Sequence, residues 1–88
     1  MRTQREVRAF VEAYMGKVQL PVPLVLFYPK NAKAFASSDP VDYVINIYGT
    51  PVSKTILKHE MHHLALALYF AAERALEDIV RLADRGAR

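Results

Sequence analysis

Between Pro51 and Gly86 the chain contains neither glycine nor proline, and that stretch is more than a third of its 88 residues. Thr50 is an acceptable helix N-cap, and Pro51 stands where proline is welcome, at the first helical position. Residues 51–85 therefore read as one helix. At 1.5 Å per residue it would be about 50 Å long, whereas a compact domain of this size is about 30 Å across. Two outcomes resolve the mismatch. The helix breaks, with Tyr69 to Ala72 the expected place, or it stays whole, projects and pairs with another chain. The break is the expectation carried forward, although helix propensity favours continuity.

The first half of the chain has a different rhythm. Thr3 can cap a helix, with Glu6 completing a capping box. Val7, Phe10, Val11 and Tyr14 then form an apolar stripe at helical period. The spacing predicts a helix over residues 4–15, ended by Gly16 in the left-handed conformation. Val18 to Pro23 is extended, because each proline forces its predecessor out of the helical region. Leu24 to Tyr28 is a β-rich run, Lys33 to Ala36 a short strand, and Ser37-Ser38-Asp39-Pro40 a turn by composition. Val41 to Tyr48, ended by Gly49, is the strongest strand. Its odd positions Val41, Tyr43, Ile45 and Ile47 are set to face a core, and Asp42 and Asn46 the other side. The whole is one α+β domain with a small, mainly antiparallel sheet of about three strands.

All three histidines fall in five consecutive residues, His59-Glu60-Met61-His62-His63. On a helix, His59 and His63 are about 40° apart and one turn up, so both imidazoles can reach one metal ion. Glu60, about 100° round from His59, suits a base that takes a proton from water activated by that metal. Zinc fits best, since neutral imidazole is a good ligand for it and the chain has no cysteine to supply thiolate. The helix is apolar on either side of the motif, at Ile56, Leu57, Leu64 and Ala65, and a strand and tight turn lead into it.

With that motif in that context, the chain resembles the zincin metallopeptidases, and among them the minigluzincins, which are gluzincins reduced to one small domain. The likeness covers about residues 4–80. It is specific at His59 to His63, with looser support from the strand Val41 to Tyr48. It implies an N-terminal helix, a small sheet whose exposed edge strand binds substrate, the H-E-x-x-H helix and a separate C-terminal helix. It also implies a zinc-dependent endopeptidase with Glu60 as general base. Gluzincins take a third zinc ligand from a glutamate on the next helix, and an acid one turn later braces the first histidine. By that likeness Glu73 would be the ligand and Glu77 the brace, with Glu77 and then Asp78 the next candidates for the ligand. Tyr69 would match the tyrosine or histidine that gluzincins place beside a developing oxyanion. Asn46 and the backbone of Tyr48 would align a peptide substrate as an added strand. The chain departs from the family in placing only nine residues between His63 and Glu73. Glu73 can therefore reach the ion only if the helix breaks.

Blander roles stand beside these. Glu73, Glu77 and Arg81 follow one another at four-residue spacing, as ordinary charges on a solvated face do. His62 points away from His63 and reads as a rim residue, and Tyr69 can be amphipathic packing. A non-catalytic module that dimerises through the long helix, with or without metal, is the alternative function. Net charge is +3, but no recognition motif accompanies Arg2, Arg5, Arg8, Arg81, Arg85 and Arg88, so nucleic acid is disfavoured as a partner. The expected partners are a peptide or protein substrate, with the chain a monomer or homodimer. The longest uncharged apolar run is too short for a membrane span. The first residues lack the apolar block of a signal peptide, which makes the cytoplasm the expected compartment. If the last helix folds back, the tail Arg85-Gly86-Ala87-Arg88 would emerge near the cleft and could hold the enzyme latent.

Overall fold

The computed structural model describes residues 1–86. Helix α1 (Gln4–Lys17) is followed by strands β1 (Leu24–Tyr28), β2 (Ala36–Asp39) and β3 (Val44–Tyr48), and then by helix α2 (Lys54–Gly86). The α+β class agrees with the sequence. The sheet and the second half of the chain differ from expectation.

α1 begins as its sequence requires. Thr3 Oγ1 accepts the Glu6 N–H at 3.1 Å, and the Thr3 hydroxyl donates to the Glu6 carboxylate at 3.0 Å. Val7, Val11 and Met15 are fully buried on its inner stripe, flanked by Phe10 and Tyr14. The helix runs through Gly16 rather than stopping there. Gln19, at φ 59°, is the left-handed residue, and the Leu20 N–H returns to the Met15 carbonyl across it at 3.0 Å.

The sheet is mixed, in the order β1-β3-β2, with β3 in the middle. β2 and β3 are antiparallel, but β1 and β3 are parallel, in register from Leu24 opposite Val44 to Tyr28 opposite Tyr48. The chain between β1 and β3 carries β2, which makes the connection long enough for the crossover a parallel pair requires. Val25, Ile45 and Ile47 face the helices and join Val7, Val11, Met15, Val52, Leu57, Met61 and Leu64 in the core.

β3 starts three residues later than the alternation suggested. Asp39 Oδ1 accepts the N–H groups of Val41 at 3.0 Å and Asp42 at 3.2 Å, which folds residues 40–43 into a turn. Val41 is consequently 90% exposed, and Tyr43 adopts φ 58°. Ser37, Ser38 and Asp39, expected in a turn, instead form most of the edge strand β2.

α2 starts at Lys54, not at Pro51. Ser53 is its cap, with Oγ accepting the Ile56 N–H at 3.1 Å. The helix does not break at Tyr69 to Ala72: its 33 residues are continuous, and no separate C-terminal helix exists among the described residues. Leu57, Met61 and Leu64 are buried, but every residue from Tyr69 to Gly86 is exposed. The molecule measures 59 × 28 × 17 Å, with a radius of gyration of 16.8 Å, against about 12 Å for a compact chain of this length. Arg85 and Gly86 continue the helix outward, so the fold-back that would bring the tail to the cleft does not occur. Ala87 and Arg88 lie outside the described residues. No described helix is long and apolar enough to cross a membrane.

Candidate metal centre

The buried stripe of Leu57, Met61 and Leu64 fixes the rotation of α2 on the sheet, and that rotation turns His59 and His63 outward. Their Nε2 atoms converge to 2.9 Å, with the rings edge to face and their centroids 4.5 Å apart. Two nitrogens on one tetrahedral zinc are about 3.3 Å apart at Zn–N distances near 2.0–2.1 Å. Opening the pair by a few tenths of an ångström would thus seat the ion. The pair fits zinc as two of its ligands.

Glu60 lies between this pair and the sheet. At 9% exposure it is the one buried charged side chain among the described residues. Together with His63 and Ala67 it faces Ala36, Ser37, Ser38 and Pro40 across an open cleft between α2 and β2. The adjoining hollow is lined by Phe35, Thr55, Ile56 and His59, again with Glu60. The carboxylate therefore looks onto both the histidine pair and the edge strand. β2 pairs with β3 on one side only, and its other edge borders this cleft.

His62 is engaged elsewhere: its Nε2 lies 2.9 Å from the Tyr14 hydroxyl, which ties α2 to α1. That contact explains why it takes no place with its neighbours.

The remaining expected site residues are not brought to the histidines. With α2 unbroken, Glu73 is ten residues beyond His63, about 15 Å along the axis, and Glu77 and Asp78 are about 21 Å or more away. None can share an ion with His59 and His63 of the same chain, nor can Glu77 brace His59. Among the described residues no three His, Cys, Asp or Glu side chains converge as a metal site. The Tyr69 hydroxyl donates to Glu73 Oε1 at 2.7 Å. That bond to a carboxylate raises the phenol above its ordinary pKa and points it away from the histidines. Asn46 and Tyr48 stand on the middle strand, on the face away from the helices. Asn46 Nδ2 donates to Ser37 Oγ at 3.3 Å, and the Tyr48 hydroxyl lies 3.2 Å from the same oxygen. They buttress β2 from behind instead of lining the cleft.

Of the residues that do border the cleft, Ala36 ended the expected short strand, whereas Ser37 and Ser38 were hidden by a serine-rich composition that imitates a turn. The available signal was Asp39, whose side chain caps the turn that follows it. Comparison with protein-family models, curated proteins and solved structures finds no match to this chain.

Proposed function

We propose that the chain is a zinc-dependent peptide hydrolase acting in the cleft between α2 and β2. The observation that carries this is the convergence of His59 and His63 Nε2 at 2.9 Å beside the buried Glu60. Zinc, when bound, would supply a Lewis acid that polarises a peptide carbonyl and acidifies water. His59 and His63 would hold it through Nε2. Glu60 would accept a proton from the attacking water and pass it to the departing amine, a role that needs a carboxylate near the ion but not on it. The free edge of β2 offers the N–H and C=O groups of Ala36 and Ser38 to an extended peptide, which would add as a strand.

Two tests separate binding from chemistry. His59→Ala and His63→Ala should each lose most of the zinc at neutral pH, measured by atomic absorption, because one imidazole alone is a weak site. Stoichiometric zinc in both variants would remove the site. Glu60→Gln should keep its zinc and lose cleavage of an unfolded protein substrate by about 100-fold or more. Undiminished cleavage would end the role of Glu60 as base.

A second function has an observation in its favour. Catalytic zinc sites keep three protein ligands as a rule, and one chain here offers two. A non-catalytic, metal-binding helical module would bind zinc through the same histidines and release no new amino termini from any substrate, with Glu60→Gln indistinguishable from the unaltered chain.

A further inference from the structure

The outward face of α2 does not end at the histidines. His59, His63, Leu66, Phe70, Glu73 and Glu77 follow one another at alternating spacings of four and three, within an arc of about 80° on the helix. All six are exposed, Leu66 at 54% and Phe70 at 64%. Ile56 and Val80 extend the row by one step at either end. The row is complementary to its own reverse. Laid antiparallel on itself about a two-fold axis level with Leu68, it sets His59 against Glu77, His63 against Glu73, Leu66 against Phe70 and Ile56 against Val80. Every step opposes apolar with apolar or imidazole with carboxylate. Tyr69 and Leu76 border the row on one flank, whereas Ile79 and Leu82 lie about 140° or more round from His59 and take no part.

We propose that the metal site is completed in trans: α2 pairs antiparallel with α2 of a second copy of this chain, and Glu73 of that copy joins His59 and His63 as the third ligand, a completion that rests on zinc being held by that histidine pair. Three observations select a second copy and this direction. One chain supplies two ligands where a catalytic zinc needs three. Its own Glu73 and Glu77, about 15 Å or more beyond His63 along the unbroken helix, are out of reach in cis and stand at the positions that the two-fold returns to the histidines. Glu73 is also held as a ligand would be, because the Tyr69 hydroxyl donates to Oε1 at 2.7 Å and leaves Oε2 for an ion. A parallel pair would instead set Glu73 against Glu73 and Glu77 against Glu77, like charges in direct opposition. The two cores do not compete for this face, since Leu57, Met61 and Leu64 point to the opposite side of α2. Glu60, about 100° round from His59, keeps the cleft toward β2 beside the paired helices rather than between them.

In sedimentation equilibrium, zinc added to the metal-free chain should convert monomer to a dimer with a mass approaching twice 10.0 kDa and one zinc per chain, and a chelator should reverse the change. Glu73→Gln with Glu77→Gln removes both opposing carboxylates. That variant should keep its far-UV spectrum, since both side chains are exposed, and should stay monomeric in zinc. Its zinc affinity should fall about 100-fold or more, because even groups outside the ligand set contribute about 10–100-fold. His59→Ala with His63→Ala should fail in the same way. Mixed in equal amounts, the two variants should recover the dimer and one tightly held zinc per two chains, since the mixed pair contains one whole site and one empty one. Leu82→Asp, off the row, should behave as the unaltered chain. A zinc-loaded monomer, a dimer that keeps its zinc in Glu73→Gln with Glu77→Gln, or a mixture that recovers nothing would each overturn completion in trans while leaving the two-histidine site standing. No zinc in the unaltered chain would overturn both.

Discussion

Glu60 occupies a position that a leucine would fill at no electrostatic cost, since its helical neighbours Leu57, Met61 and Leu64 are all fully buried. Keeping a carboxylate there removes water from a charged group, a placement that the proposed role of Glu60 as base would explain. A second residue acts at a distance. Gly49 closes β3 and starts the chain toward α2, with φ 80° and its N–H donating to the Tyr28 carbonyl at 3.0 Å. A Cβ there would sit 3.0 Å from both Cα and Cβ of Lys30. Gly49→Ala therefore combines an unfavourable left-handed conformation with a backbone contact that cannot swing aside. It should destabilise the fold by about 1–3 kcal/mol, read as a lower denaturation midpoint at unchanged denaturant slope. A variant as stable as the parent would mean that the turn relaxes freely and does not set the approach to α2.

Elements whose signals are local were legible. Thr3, Glu6 and the stripe through Val7 and Val11 specify α1 within a few residues, and the His59 to His63 spacing specifies a two-histidine face on any helix that contains it. The parts that were misread depend on competition between neighbours. Asp39 can sit inside a turn or begin one, and only the pairing of Ser37 and Ser38 with Asn46 and Ile45 decides that β2 precedes it. Tyr43 and Val41 then lose their places in β3 because the Asp39 side chain captures the next two N–H groups. For α2 the error ran the other way. The sequence from Val52 to Arg85 holds no helix breaker, and the expectation of a break came from the size of a compact domain, on which the third ligand of a gluzincin site then depended. Neither is a force on Tyr69 to Ala72. With alanine, leucine, glutamate and arginine through the outer half, propagation costs little once the buried first turns have nucleated the helix. Glu73 and Glu77 were assigned to the site only through that break, so they leave it together, and Tyr69, assigned by likeness to the gluzincins, instead donates its hydroxyl to Glu73.

At the scale of the molecule, a small core and a bare arm share one helix, and their stabilities should separate. Val7, Val11, Ile45, Ile47, Leu57, Met61 and Leu64 hold the core through contacts that end by Leu68, whereas residues 69–86 are exposed throughout. In the monomer the arm is held by its backbone ladder and by side-chain pairs along the helix, such as Tyr69 to Glu73. Each pair of that kind contributes only a few tenths of a kcal/mol. The arm should fray from its outer end well below the temperature at which the core unfolds. A chain ending at Ala71 makes this measurable. At the same dilute concentration, both forms should unfold by their near-UV aromatic signals at midpoints within about 4 °C, since removing exposed residues costs about 0.5 kcal/mol or less. The full chain alone should show a sloping loss of helical far-UV signal ahead of that midpoint. A midpoint many degrees lower in the shortened chain at low concentration would place the arm against the core in solution, and α2 would then be bent rather than straight.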